Sequence, residues 1–161
     1  AQWIAFAHEI DGWVAFAAGD HARGIALMGQ ALERLHATGA RTHSSRILAN
    51  LAECFLAAGR PAEARQHIDA ALAHRARHGE EYYAAELLRL QALILQGQGA
   101  AAKDVKALLE SALRIARTQR ARLFEIRVRS ALQSEKSKKA RACLLGKEQP
   151  GPPGRNQGGI C

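Results

Sequence analysis

The chain repeats itself every forty residues, and no other feature limits its fold as tightly. Ala17-Ala18-Gly19 recurs as Ala57-Ala58-Gly59, and Gly99 stands forty residues further on. Ala31-Leu32 recurs as Ala71-Leu72 and, after one added residue, as Ala112-Leu113. Gly39 recurs as Gly79, and the added residue falls in the Gly97–Ala100 loop. Landmarks that keep both spacing and order mark a supersecondary unit that buries its apolar face only by stacking on its neighbours.

Each unit reads as two helices. Leu48, Leu51, Ala52, Phe55 and Leu56 fall at i, i+3, i+4, i+7 and i+8, an amphipathic stripe. Gly59 ends that helix in the left-handed conformation open to glycine, and Pro61 suits the first turn of the next. Ala64, Ile68, Ala71 and Leu72 form the second stripe. Its small residues, with Ala52, let two antiparallel helices approach closely. In the first unit Trp3, Phe6, Ile10, Trp13 and Val14 share one side of the first helix, and this spacing predicts that they are core. Ile25, Met28, Ala31, Leu32 and Leu35 line the second. The third unit places Leu87, Leu88, Ala92 and Leu95 before its turn and Val105, Leu108, Leu109, Ala112, Leu113 and Ala116 after it. A seventh helix is predicted from Ala121 to about Leu132, with Leu123, Phe124, Ile126 and Val128. No alternating strand pattern occurs, so the fold class is all-α: a solenoid of antiparallel helix pairs with about seven helices. The units are 1–39, 40–79 and 80–120, followed by a capping helix at 121–133 and a basic, Pro/Gly-rich tail at 134–161 whose composition predicts disorder.

A Gly between the helices, a small residue early in the second, an Ala-Leu pair one turn later and a closing Gly resemble the tetratricopeptide repeat. That family's period is 34 residues, so these units resemble an extended-helix variety, and the resemblance implies a right-handed solenoid. A narrower resemblance covers 79–132. The run Gly79-Glu80-Glu81-Tyr82-Tyr83-Ala84-Ala85-Glu86-Leu87-Leu88-Arg89-Leu90, with Ala112–Gln119 and Glu125-Ile126-Arg127, is similar to the last repeats of bacterial signalling proteins. Those proteins join a nucleotide-cyclase domain or a DNA-binding transcription domain to a P-loop ATPase. The resemblance implies a cytoplasmic signalling or transcriptional regulator of which this chain is the terminal array. Where that family has Gly, this chain has Arg120, so the closing turn costs roughly 1 kcal/mol more.

Chemistry is sparse. No phosphate-cradling, nucleophile-elbow or zinc-protease motif occurs, which predicts a protein that is not an enzyme and uses no cofactor. No run of 18 apolar residues occurs, which excludes a transmembrane helix. The start at Ala1 carries neither Met nor a signal-peptide pattern, which points to a piece of a longer cytoplasmic protein. Cys54, Cys143 and Cys161 form no C-x-x-C pair, and Cys54 reads as a small buried side chain. His74 and His78 are one helical turn apart and share a face with His67. That spacing suits a metal pair, but equally a polar flank near the helix C-terminus, and no metal is assigned. Trp3, Phe6, Trp13 and Phe16 could stack bases, but their spacing is that of a core. Tyr82 and Tyr83 are adjacent and cannot both face inward.

In a helix-pair solenoid the first helix of each pair lines the concave surface, where peptides bind. That register predicts a protein-binding groove of Arg46, Asn50, Glu53, Tyr82, Glu86 and Arg89. Glu86 and Arg89, at i and i+3, can instead pair with each other on a solvated face. The expected partner is a protein or peptide segment, or an ATPase or cyclase domain of the parent chain; self-association through exposed end helices is a weaker expectation. The net charge of +8 suggests nucleic acid through Lys136, Lys138, Lys139 and Arg141. Its distribution does not favour that reading. Residues 1–120 carry 14 basic and 12 acidic side chains, and 121–161 carry 9 and 3. The body is an almost neutral scaffold with a basic end.

Overall fold

The structure is a computed structural model that describes residues 2–146, with side chains described for 3–137. Among the described residues there are seven helices and no strand: α1 (Gln2–Ala17), α2 (His21–Ala37), α3 (Ser44–Ala57), α4 (Pro61–His78), α5 (Ala84–Gly97), α6 (Ala102–Thr118) and α7 (Arg122–Gly146). None is long and apolar enough to cross a membrane.

Consecutive helices pack as antiparallel hairpins, most tightly within α1–α2, α3–α4 and α5–α6. The odd-numbered helices also touch one another in series, α1 to α3, α3 to α5 and α5 to α7, whereas no two even-numbered helices touch. The layer whose members stay in contact is the inside of the bend, so the odd helices line the concave surface.

The corners follow from backbone chemistry. Gly19, Gly39, Gly59, Gly79 and Gly99 all sit at φ between 66 and 88°, a region glycine enters without a Cβ clash. The sixth corner is Arg120, at φ 54°. Asp20 caps α2 by accepting from the Arg23 N–H at 3.1 Å, and Pro61 occupies the first turn of α4.

The second-unit stripes are buried: Leu48, Leu51, Ala52 and Phe55 on α3, and Ala64, Ile68 and Ala71 on α4. They join Met28, Ala31 and Leu35 of α2 and Leu87, Leu90 and Ile94 of α5 in one core. A second core unites Ala92, Val105, Leu109, Ala112 and Val128. The core is built from Ala and Leu-sized side chains, as 5% aromatic content requires.

Two expectations fail. The large residues of α1 are not core: Trp3 is 82% exposed, and Ile10, Val14 and Trp13 are exposed as well. The face of α1 that packs on α2 is instead Ala5, Gly12 and Ala15. A Cβ on Gly12 would lie 2.8 Å from Met28 Cγ, and one on Gly24 would lie 3.0 Å from the Gly12 carbonyl oxygen. Met28 of α2 fills this contact, so the bulky side chains of α1 are left on its flanks. The second failure is the end of α7, which runs to Gly146 instead of stopping near Leu132. Residues 133–145 contain neither Gly nor Pro and are rich in Lys, Ala, Leu and Arg, all good helix formers. Composition alone, read as charge and low hydrophobicity, missed that propensity. Residues 147–161 of the predicted tail lie outside the described residues.

Candidate functional site

The concave face contains a cleft of about 340 Å³. Its α1 wall is Ile10, Trp13 and Val14, and its α7 wall is Leu123 and Phe124. The floor between them is polar: Glu9, Arg46, Asn50, Tyr83 and Arg127. Ile10, Val14 and Leu123 are each more than 60% exposed. The cleft therefore offers apolar walls to solvent over a floor of hydrogen-bonding groups.

The floor is tied together helix by helix. Glu9 of α1 accepts from Arg46 of α3 at 2.6 Å and from the Asn50 amide at 3.3 Å. The Tyr83 hydroxyl, at the start of α5, donates to Asn50 Oδ1 at 3.1 Å. Deeper down, Arg89 of α5 pairs with Glu86 at 2.6 Å and with Glu53 of α3 at 3.0 Å. Arg127 of α7 reaches Glu86 at 2.8 Å and also pairs with Glu53. Every neighbouring pair of concave helices is thus bridged by a charge or a hydrogen bond. Three acids, Glu9, Glu53 and Glu86, face three arginines, so the face is electrically balanced.

Burial tunes these groups. Desolvation raises the Glu9 pKa above its usual value, and the Arg46 charge offsets this only in part. Burial works against the charge of Arg89, but its bond to Glu86 and the charges of Glu86 and Glu53 win and hold it firmly protonated. Burial pushes the Tyr83 hydroxyl up, and the Glu86 charge adds to the shift. Tyr83 is therefore a hydrogen-bond donor at any ordinary pH.

The six groove residues read from sequence are distributed differently from that reading. Arg46 and Asn50 line the cleft. Glu53, Glu86 and Arg89 lie beneath it; Glu86 is 1% and Arg89 6% exposed, so their pair is a buried strut and not a solvated surface pair. Tyr82 points elsewhere, and its neighbour Tyr83 takes the place in the cleft. The sequence reading missed Ile10, Trp13, Leu123 and Arg127. The repeat held the signal: Ile10 and Trp13 stand forty residues before Asn50 and Glu53, and Arg127 stands forty-one after Glu86.

Tyr82 belongs to a second cavity, of about 550 Å³, with His43, His74, His78 and Glu80. Glu80 accepts from the backbone N–H of Ser45 at 3.0 Å and from that of His43, and so closes the N-terminus of α3 from the following unit. Burial opposes its charge, but these bonds outweigh it and keep the carboxyl below its usual pKa. His74 Nε2 lies 2.9 Å from the Arg41 carbonyl oxygen and 3.5 Å from Glu80. His67 has left this group and packs edge-on against Phe55, with ring centroids 4.9 Å apart. Among the described residues no three His, Cys, Asp or Glu side chains stand close enough together to hold a metal ion.

Trp3 and Phe6 meet edge-on at 6.0 Å, and Trp13 leans on Phe16 at 5.2 Å. They form two separate contacts along α1. Lys136 is exposed on α7. The side chains of Lys138, Lys139 and Arg141 lie outside the described residues.

Residues 15–94 match the tetratricopeptide repeat family. Over that segment the chain is similar to a tetratricopeptide repeat array, and its seven described helices are consistent with that all-α repeat fold. The segment runs from the last residues of α1 through most of α5, so it contains the whole of α3 and the Arg46 and Asn50 floor of the cleft. Tetratricopeptide repeats generally mediate contacts between proteins, and they do so without chemistry of their own. No curated protein matches the chain.

Proposed function

We propose that the chain is a non-catalytic protein-interaction scaffold that holds an amphipathic, electrically neutral peptide segment of a partner in its concave cleft. One observation carries this reading: exposed apolar walls from α1 and α7 stand over a floor whose charges are already paired. A segment entering there gains from covering Ile10, Val14 and Leu123, and meets no uncompensated charge that calls for an ion of its own. Asn50 and Tyr83 orient it through their polar atoms. Units 1–39, 40–79 and 80–120 are the proposed repeats, since 39, 79 and 120 are the left-handed corners between pairs. The similarity of 79–132 to the last repeats of bacterial cyclase and ATPase regulators supports a place in a cytoplasmic signalling or transcriptional regulator. There the array docks a partner or the regulator's own ATPase domain.

Trp13 is a built-in reporter for the test. A Leu-rich amphipathic helical peptide of zero net charge is titrated while tryptophan emission is recorded. Wild type is expected to bind with a blue shift. Val14→Asp and Leu123→Asp, both at exposed positions, are expected to weaken binding at least tenfold while helical circular dichroism stays unchanged. Undiminished binding by both variants defeats the reading.

A further inference from the structure

The corner between α6 and α7 holds a concentration of charge separate from the cleft. Arg117, Arg120, Arg122 and Arg129 surround a cavity of about 540 Å³ that Glu125 and Ile126 complete. None of these arginines lines the concave cleft. One carboxylate serves four guanidiniums. Glu125 accepts from Arg117 at 3.2 Å and from Arg129 at 2.6 Å, and the lining offers Arg120 and Arg122 no second acid. The cavity therefore carries three uncompensated positive charges. The concave face, in contrast, is balanced.

The backbone marks the same place. Five corners of the array use glycine in the left-handed region, and this one uses Arg120 at φ 54°. A glycine here would relieve the strain and remove one of the four charges. Strain of this kind persists where the side chain has a use. Beside the arginines, Ile126 is 60% exposed.

The geometry points to a docking site for an acidic segment of a partner protein, with two neighbouring carboxylates held by the arginine cluster and an adjacent apolar side chain laid on Ile126. Guanidinium forks bind planar carboxylates in pairs of parallel hydrogen bonds. Arg120 and Arg122 are free for one carboxylate, and Arg117 and Arg129 keep donors beyond those used on Glu125. A nucleic-acid strand suits the cavity less well. Its evenly spaced phosphates need a track, and here a carboxylate stands at the centre of a compact cluster with an isoleucine in its lining.

The test uses the full chain and a fluorescein-labelled, Asp/Glu-rich peptide that carries one leucine, followed by fluorescence anisotropy. Binding is expected and weakens with added salt. Arg120→Gly and Arg129→Gln are each expected to lower the affinity about tenfold, the scale of one charge-assisted hydrogen bond. Arg65→Gln, on α4 and outside the lining of this cavity, leaves it unchanged. Arg120→Gly also raises the thermal midpoint, so its lost binding cannot come from unfolding. Affinity unchanged in both cavity variants, or an equal loss in Arg65→Gln, overturns the site. A DNA duplex that displaces the peptide and shows the same sensitivity to both variants overturns the choice of partner. Neither result bears on the neutral peptide and the α1–α7 cleft, whose variants are different.

Discussion

In the second helix pair Phe55 and Ile68 are buried with Ala52 and Ala64. In the first pair the positions forty residues earlier are Ala15, Met28, Gly12 and Gly24, and the bulky side chains of α1 face solvent. In the third, Ala92 and Val105 occupy the places of Ala52 and Ala64. The buried pair at this register thus grows from Gly/Gly to Ala/Ala to Ala/Val along the array. One register admits different amounts of side chain, and where it admits least, the displaced aromatic and aliphatic groups become surface. The apolar wall of the cleft on α1 is a by-product of close packing on its other side.

The contrast can be broken from the second pair first. Ile68 is fully buried. Ile68→Ala is expected to lower stability by about 2–5 kcal/mol in urea unfolding, through lost burial and the cavity left behind. A loss as small as that of a surface change would mean the second pair is not packed through its large residues. In the first pair the sensitive direction is addition. Gly12→Ala sets a methyl group against Met28 Cγ and the Gly24 carbonyl, and is expected to cost about 1–3 kcal/mol. Gly29 lies in the same hairpin with nothing within 4 Å of an added Cβ. Gly29→Ala is expected to gain about 0.5–1 kcal/mol from helix propensity. Equal effects of the two would remove close approach as the explanation.

The smallest effect concerns pH. Glu9 is buried on the α1 face beside the glycines, and its folded pKa is raised above 4.5 by desolvation. The folded state therefore holds this proton more tightly than the unfolded chain. The resulting stabilisation is complete below the unfolded pKa and is lost as pH rises through the folded one. Glu9→Gln carries no such dependence. Its stability relative to wild type is expected to improve steadily as pH climbs from 4.5 towards neutrality, read from urea midpoints at each pH. A flat difference would show that Arg46 compensates the carboxylate completely.

Much of the fold was legible because the repeat is written in residues whose chemistry is local. Glycine at the corners, Pro61 and the stripe Leu48–Phe55 act through backbone geometry and helical spacing, which sequence shows directly. Trp3, Ile10, Trp13 and Val14 were misread for a physical reason. Periodicity ranks a face by hydrophobic mass, whereas the α1–α2 contact is set by Gly12 and Gly24, which contribute almost none. Charge posed a similar difficulty. The spacing of Glu86 and Arg89 shows that they can pair, but not that Arg127, forty-one residues on, joins them and seals the pair beneath the surface. The cleft was half legible for the same reason. Arg46 and Asn50 follow from helix register, but the α7 wall depends on how far the array bends.

The bond from Glu80 to the start of α3 has a consequence for how the protein is made. Ser45 and His43 present backbone N–H groups that find their acceptor only in the next unit. While the chain emerges from the ribosome, the opening turn of α3 stays incomplete until residue 80 is outside, even though α3 and α4 are already free to form their hairpin. The second unit is finished by its successor. A nascent chain halted before that residue would leave a frayed end facing the cell, and quality control could read that end as unfinished work.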